Sequence, residues 1–186
     1  MFMFSRLKVT ALAISFAAAL IAVPAQAEDH TAELEAKADA ALVKLYEKSP
    51  KAKELAAVAK GVLVFPDIGK GGFIVAGQYG KGVLRQGGKS TGYFSSAQGS
   101  VGLQAGIQKF GYALVLMTDK AVKQLNAADG WELGTGPSIV VVEEGAAANL
   151  TTRTAKDDVY AFTFDQKGLM GGIGIQGTKI TRLERP

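Results

Sequence analysis

The chain has 186 residues, a formal net charge of +4, 48% hydrophobic residues and 20% charged residues, a composition typical of a folded protein. It contains no cysteine and one histidine, so disulfides, thiolate metal sites, cysteine nucleophiles and histidine metal clusters are all excluded. Several common kinds of enzyme active site are excluded with them.

Residues 1–27 have the pattern of a secretory signal peptide. Arg6 and Lys8 precede an apolar run over 9–23, and Ala-Gln-Ala at 25–27 has the small-x-small form that signal peptidase accepts. The alternative is a membrane anchor, but fifteen residues fall short of the ~20 that span the hydrocarbon core of a bilayer. We therefore expect cleavage near Ala27-Glu28. The product would be a periplasmic or secreted protein of one domain, residues 28–186, which can associate peripherally with a membrane.

The first part of this domain has the spacing of amphipathic helices. Between 31 and 48, apolar residues recur at steps of three and four, namely Leu34, Ala38, Ala41 and Leu45. Thr31 is predicted to cap this helix. Ser49 followed by Pro50 is typical of a second helix start, and that helix is expected to run to about residue 59. Residues 28–59 are thus predicted to form a helical arm.

The rest of the domain, residues 60–186, is rich in glycine and in strand-forming residues. All 23 glycines lie between 61 and 177, and apolar, β-branched runs separate them. We predict strands over 61–66, 139–142, 159–164 and 169–183, further strands within 93–117, a hairpin over 72–86 turning near 80–82, and a short helix over 118–128 capped by Thr118 or Asp119. The fold class is therefore α+β, a mostly antiparallel, glycine-rich sheet or barrel-like sheet with the helical arm packed on it.

One strand pattern places glycine and glutamine on the same face. Over 101–108, apolar residues alternate with Gly, Gln104, Gly and Gln108, and 172–176 shows a short echo of this pattern. A glycine inside a strand often marks the close approach of a neighbour. That neighbour is either one of the protein's own helices or a ligand, and in the second case the face is a channel with Gln104 and Gln108 as polar anchors.

Three patterns that suggest conventional chemistry are interpreted as structural. The string G-x-G-x-x-G at 172–177 is followed by a strand-like alternation, where dinucleotide binding requires a helix. Residues 82–90 resemble a P-loop with one residue too many and are predicted to be a hairpin turn. Asp157 and Asp158 are interpreted as solvated acids at a turn. We expect neither a metal nor a cofactor.

Basic charge is concentrated between residues 44 and 89, which carry nine cations and three acids. Such lysines attract anionic lipid head groups by ~1 kcal/mol each, an attraction that salt screens. Two groups are predicted: a head-group site and a membrane contact of the helical arm. The first contains Lys60, Lys70, Lys81, Arg85 and Lys89, and the second contains Lys44, Lys48, Lys51 and Lys53. The alternative is an ordinary solvated surface. Nucleic acid is not expected, because no aromatic array interleaves the cations.

Several strings, in order along the chain, are similar to the lipid-binding SYLF domain. Residues 60–66 (KGVLVFP), 72–74 and 77–82 (GQYGKG) resemble its opening, and 92–93 with 99–108 (GSVGLQAGIQ) resemble its central signature. Residues 114–118, 168–169 and 177–178 resemble later blocks, so the resemblance spans 34–183. It implies a phospholipid-binding module. Eukaryotic members bind phosphoinositides and work beside actin through attached domains.

Together these observations predict a non-enzymatic, exported phospholipid-binding protein that attracts anionic head groups through a basic patch. Phosphatidylglycerol and cardiolipin are the anionic lipids that a periplasmic protein would meet, whereas actin is not an expected partner of an exported chain. The alternative is a periplasmic structural or envelope-stress protein. It would bind an unidentified protein partner through the Gly/Gln face.

Overall fold

The computed structural model describes residues 25–70, 77–99, 109–142, 155–164, 175 and 177–184. Within these residues the helices are α1 (Ala25–Lys48), α2 (Pro50–Val58) and α3 (Asp119–Leu125). The strands are β1 (Gly61–Lys70), β2 (Gly77–Gln86), β3 (Lys89–Gly99), β4 (Lys109–Leu116), β5 (Trp131–Glu132), β6 (Ile139–Val142), β7 (Val159–Phe164) and β8 (Lys179–Leu183). None of the described helices is long and apolar enough to cross a membrane.

The described strands form one curled sheet in the order β5-β8-β3-β2-β1-β4-β7-β6. All neighbours are antiparallel except β6 and β7, which are parallel. The sheet has the shape of a half-barrel, and the N-terminal helix packs on it. The predicted α+β class, with a mostly antiparallel sheet and a helical arm, is therefore confirmed.

The helical arm consists of α1 and α2, which cover one face of the sheet. Ala38, Ala41 and Leu45 are buried on α1, as their spacing predicts. The predicted start of α1 is wrong, because the helix begins at Ala25 and Thr31 lies inside it rather than capping it. The start of α2 follows the prediction, since Ser49 Oγ accepts a hydrogen bond from the Ala52 amide at 3.3 Å.

Each face of the sheet carries its own hydrophobic cluster. The cluster on the α1 face includes Val62, Val64 and Val83, and the opposite cluster includes Leu63, Phe65 and Leu84 together with α3. In β7 the alternation follows the prediction, because Tyr160, Phe162 and Phe164 join the first cluster and Val159 and Ala161 join the second. A sheet covered on both faces buries nearly every side chain of its central strands, which explains their runs of apolar residues.

The predicted turn near residues 80–82 is wrong. Strand β2 runs through this stretch in register with β3, and the turn lies at Gly87 and Gly88, whose φ angles are +56° and +78°. Positive φ at both central residues is typical of a two-residue hairpin. Gly82 is instead required by close packing, because a Cβ there would lie 2.6 Å from a ring carbon of Phe65. The P-loop-like stretch over 82–90 is therefore a hairpin, as predicted.

The C-terminal strand β8 begins two residues after Gly177, so the G-x-G-x-x-G string leads into a strand and the rejection of a dinucleotide site stands. Helix α3 is shorter than predicted and has Thr118 as its cap, whose Oγ1 accepts from the Ala121 amide at 3.3 Å. The apolar run of the proposed signal peptide (9–23), and Gln104 and Gln108 with their Gly/Gln strand, lie outside the described residues.

Candidate functional site

A groove of about 380 Å³ opens between the helical arm and the first strands of the sheet. We call it the Arg85 groove. Helices α1 and α2 form one wall, and the start of β1, the end of β2 and the β2–β3 turn form the other. Its lining residues are Asp39, Leu42, Tyr46, Ala56, Ala57, Ala59, Gly61, Val62, Arg85, Gly87 and Gly88. Apolar side chains and polar groups both line it, and Arg85 is the one cation among the described lining residues.

Local sequence explains the shape of the groove. Leu42 and Tyr46 are one turn apart on α1 and border its buried stripe, so they line the groove half-buried. The turn opposite them consists of two glycines, and a Cβ added at either would meet nothing within 4 Å. The groove is therefore open on the side of the β2–β3 turn.

Arg85 lies opposite Val62 in the β1–β2 register and points toward α1. Its Nη2 donates to Asp39 Oδ1 at 2.5 Å and to the Glu35 carbonyl at 3.4 Å, and its Nη1 donates to Ser90 Oγ at 2.5 Å. The Arg85 side chain is only 14% exposed, whereas that of Asp39 is 63% exposed. The buried Arg85 Nε has no hydrogen-bond acceptor among the described residues.

A second polar contact holds α1 against the sheet next to Arg85. The Tyr93 hydroxyl donates to Glu35 Oε1 at 2.5 Å. Hydrogen bonds from Tyr93 and then Ser90 hold the pKa of Glu35 below its usual value. Burial, followed by the bond to Glu35, raises the pKa of Tyr93. Both groups therefore keep the charge states that this contact requires at neutral pH, with Glu35 ionised and Tyr93 protonated.

Of the five predicted head-group residues, Arg85 lines the groove, and two others are next to lining residues in the chain. Lys60 precedes the lining residue Gly61, and Lys89 follows the lining residue Gly88; both lysines are exposed. Gln86 lies between them, since it pairs with Lys89 across the hairpin and its amide donates to the Lys60 carbonyl at 3.1 Å. Arg85 completes the group inside the groove.

The other two predicted head-group residues lie apart from this group. Lys81 is exposed on β2, four positions from Arg85 and thus about 13 Å along the strand. Lys70 is the last residue of β1, about 30 Å along the strand from Gly61 at the groove. The basic block therefore contains one cluster at the groove and two separate positions.

The four lysines predicted to contact a membrane lie on the helical arm, as expected from their position. Lys44, Lys48 and Lys53 are exposed, and Lys51 forms an ion pair with Glu54 at 2.7 Å.

Sequence reasoning missed the partners of Arg85. Glu35 and Asp39 lie four residues apart on α1, and hence on one face of the helix. They belong to an acidic segment, residues 28–43, that carries five acids and one lysine and precedes the basic block. The opposite charges of these two segments were the available signal that α1 docks beside Arg85.

Asp158 is not the simply solvated acid that the sequence suggested. It accepts hydrogen bonds from Thr118 Oγ1 at 2.7 Å, the Ser138 amide at 3.0 Å and Lys120 Nζ at 3.1 Å. These bonds, that from Thr118 first, lower the pKa of Asp158 to about 2. The carboxylate joins the start of α3 to β7, and this role is structural. Within the described residues, no group of three or more histidine, aspartate or glutamate side chains could hold a metal ion.

Residues 97–185 match the model of the Ysc84 family, described as Las17-binding protein actin regulator. Over these residues the chain is similar to the Ysc84 (SYLF) domain, and the predicted resemblance is confirmed. The family is a lipid-binding domain family without known catalysis. A search of curated proteins found no match to the chain.

Proposed function

We propose that the protein is a non-enzymatic, exported protein that binds the surface of membranes containing anionic phospholipid. The observation that carries the proposal is the cluster at the Arg85 groove. The groove contains the largely buried guanidinium of Arg85, and two exposed lysines, Lys60 and Lys89, flank residues that line it. The lipid-binding character of the family supports the same function.

The proposed mechanism combines electrostatic attraction with apolar contact. Lys60 and Lys89 attract anionic head groups, at ~1 kcal/mol for each lysine near the surface. Lys81 and the lysines of the helical arm extend the positive field beyond the groove. Val58, two residues before Lys60, and Val43, beside Lys44, are 58% and 56% exposed on the arm. These apolar side chains enter the head-group region once the lysines have brought the arm to the membrane.

The proposal includes export, with cleavage near Ala27-Glu28. N-terminal sequencing of the protein recovered from the periplasm of an expressing bacterium tests this step. A mature protein that starts near Glu28 supports export. Protein that retains residues 1–27 and stays in the cytoplasm contradicts it.

Membrane binding is tested by co-sedimentation with vesicles at low and high salt. One set contains only phosphatidylcholine, and the other sets add phosphatidylglycerol or cardiolipin. We expect binding to the anionic vesicles alone, with a loss at high salt because the attraction is screened. The double variant Lys60→Gln/Lys89→Gln should bind several-fold more weakly.

The matched control is Lys123→Gln/Lys156→Gln, which removes the same charge from exposed positions outside the groove. Equal losses in the two double variants would mean that net charge, rather than the groove cluster, controls binding. No binding to any vesicle would contradict the proposal and favour the alternative, a protein partner.

A further inference from the structure

We infer that the Arg85 groove holds a single molecule of anionic phospholipid, whose phosphate takes the place of the Asp39 carboxylate on Arg85. The inference rests on the proposed function and deepens it. Peripheral binding requires only a charged surface, whereas this site binds one lipid with defined stoichiometry.

The first argument is the unequal exposure of the two partners in the ion pair. Asp39 is 63% exposed and Arg85 is 14% exposed. Asp39 can turn into water and remain solvated, but Arg85 cannot leave the groove and needs an anion there. The contact is therefore replaceable on the carboxylate side alone. An incoming anion meets a cation that is already held in place by Ser90.

The second argument is the hydrogen-bonding capacity of the guanidinium. Asp39 contacts Arg85 through one oxygen, and Arg85 Nε is buried without an acceptor among the described residues. A phosphate group presents several acceptor oxygens and matches the planar fork of arginine in a bidentate manner. Replacing Asp39 with phosphate would thus satisfy donors that the carboxylate leaves unused.

The third argument identifies the anion as a lipid. The groove volume of about 380 Å³ lies within the range of ligand pockets, roughly 300–1,000 Å³. Leu42, Ala56 and Val62 form an apolar part of its wall. Inorganic phosphate would leave this wall in contact with water, whereas a phospholipid places hydrocarbon against it. The turn at Gly87 and Gly88 has no side chains, so the lipid can enter the groove on that side.

The test is a calorimetric titration of the full chain with dihexanoyl phosphatidylglycerol at concentrations where this lipid is monomeric. Glycerol 3-phosphate and inorganic phosphate are titrated in parallel, since they carry the phosphate without the chains. We expect one lipid per protein. Each chain-free phosphate should bind at least about tenfold more weakly, because it makes no apolar contact.

Three variants address the groove itself. Arg85→Gln removes the cation, and Ala57→Phe fills the groove from an exposed position without changing charge. Each should weaken lipid binding about tenfold or more. Asp39→Asn removes the competing charge and should tighten binding several-fold. The matched controls are Arg182→Gln and Glu47→Gln, which make the same changes on β8 and on α1 outside the groove and should leave binding unchanged.

Unchanged binding in Ala57→Phe or unchanged or weaker binding in Asp39→Asn would overturn the inference. These two variants keep it testable if Arg85→Gln fails to fold. Stoichiometry well above one lipid per protein would overturn it as well. Co-sedimentation of the same variants with anionic vesicles separates the two proposals. Vesicle binding that persists without monomer binding would leave the proposed function intact and remove the groove site.

Discussion

The Tyr93 hydroxyl donates a hydrogen bond to the Glu35 carboxylate over 2.5 Å and joins strand β3 to helix α1 across 58 positions of sequence. Arg85 makes a parallel connection from β2 to Asp39, one helical turn further along α1. The apolar contacts of α1 are made by small residues, Ala38 and Ala41, together with Leu45 and three half-buried residues, Leu34, Leu42 and Tyr46. These two polar contacts therefore act together with the apolar packing in holding α1 on the sheet.

Tyr93→Phe should destabilise the fold by about 1–2 kcal/mol, because a hydrogen bond to a charged carboxylate is lost. Urea unfolding followed by circular dichroism measures this change. Tyr79→Phe is the matched control, since Tyr79 is exposed on β2 and no described contact of its hydroxyl would be lost. Equal midpoints for Tyr93→Phe and the parent protein would mean that the Tyr93–Glu35 contact contributes no net stability.

Asp158 should give the protein a specific sensitivity to acid. Its pKa is lowered from 3.8 to about 2 in the folded state, so its contribution to stability is complete above about pH 4. That contribution is lost as the pH falls from about 4 to 2, because the carboxylate is then protonated more readily in the unfolded chain.

Asp158→Asn should accordingly lower stability at pH 7 by about 1–3 kcal/mol. It should also reduce the dependence of the melting temperature on pH below 4. Thermal unfolding at several pH values measures both effects. Asp129→Asn, an exposed acid after α3, is the control. If the melting temperatures of Asp158→Asn and of the parent protein changed equally with pH below 4, this role would be contradicted.

Gly82→Ala should destabilise the fold by roughly 1–3 kcal/mol, as expected for an overpacked core. A Cβ at Gly82 would lie 2.6 Å from both a ring carbon of Phe65 and the Val64 carbonyl oxygen. Gly99→Ala is the matched comparison, because it lies in the neighbouring strand with nothing within 4 Å of the new Cβ. In chemical denaturation, the unfolding midpoint of Gly82→Ala should be far lower than that of Gly99→Ala. Similar midpoints would refute the packing argument.

Val58→Asn should weaken binding to anionic vesicles by ~1 kcal/mol, about fivefold, if this side chain enters the head-group region. The substitution should leave the unfolding free energy nearly unchanged, since Val58 is already 58% exposed. Co-sedimentation measures the first effect and thermal unfolding the second. Ala128→Asn changes an exposed residue that is not part of the groove lining and serves as the control.

The parts of the fold that were predictable from sequence depend on neighbours along the chain. The spacing of Ala38, Ala41 and Leu45, the alternation in β7 and the Thr118 cap are all local patterns. The β2–β3 turn was misplaced because glycine has two uses. Gly87 is needed for its backbone angle, and Gly82 for the space it leaves to a neighbouring strand. Only the tertiary structure distinguishes the two.

The candidate site shows the same difference between what local sequence predicts and what only tertiary structure determines. The cations themselves were evident from the composition of residues 44–89. Their positions near the groove were not, because the segments that carry Lys60 and Lys89 come near each other only through the pairing of β1 with β2 and of β2 with β3. The partner of Arg85 lies 46 positions earlier in the chain. Such contacts depend on the register between distant strands and on helix docking, neither of which has a local signature.

The position of β8 determines when the sheet can be completed. This strand lies next to β3 although Tyr93 and its partner Leu183 are 90 positions apart, and β5 pairs with β8 alone among the described strands. During synthesis the edge of β3 stays unpaired until residues 179–183 have emerged. Contacts this distant in sequence also slow folding. The growing chain thus carries an open strand edge, able to pair with other molecules, from the synthesis of β3 until that of β8, and a chaperone that shields it should raise the yield of folded protein.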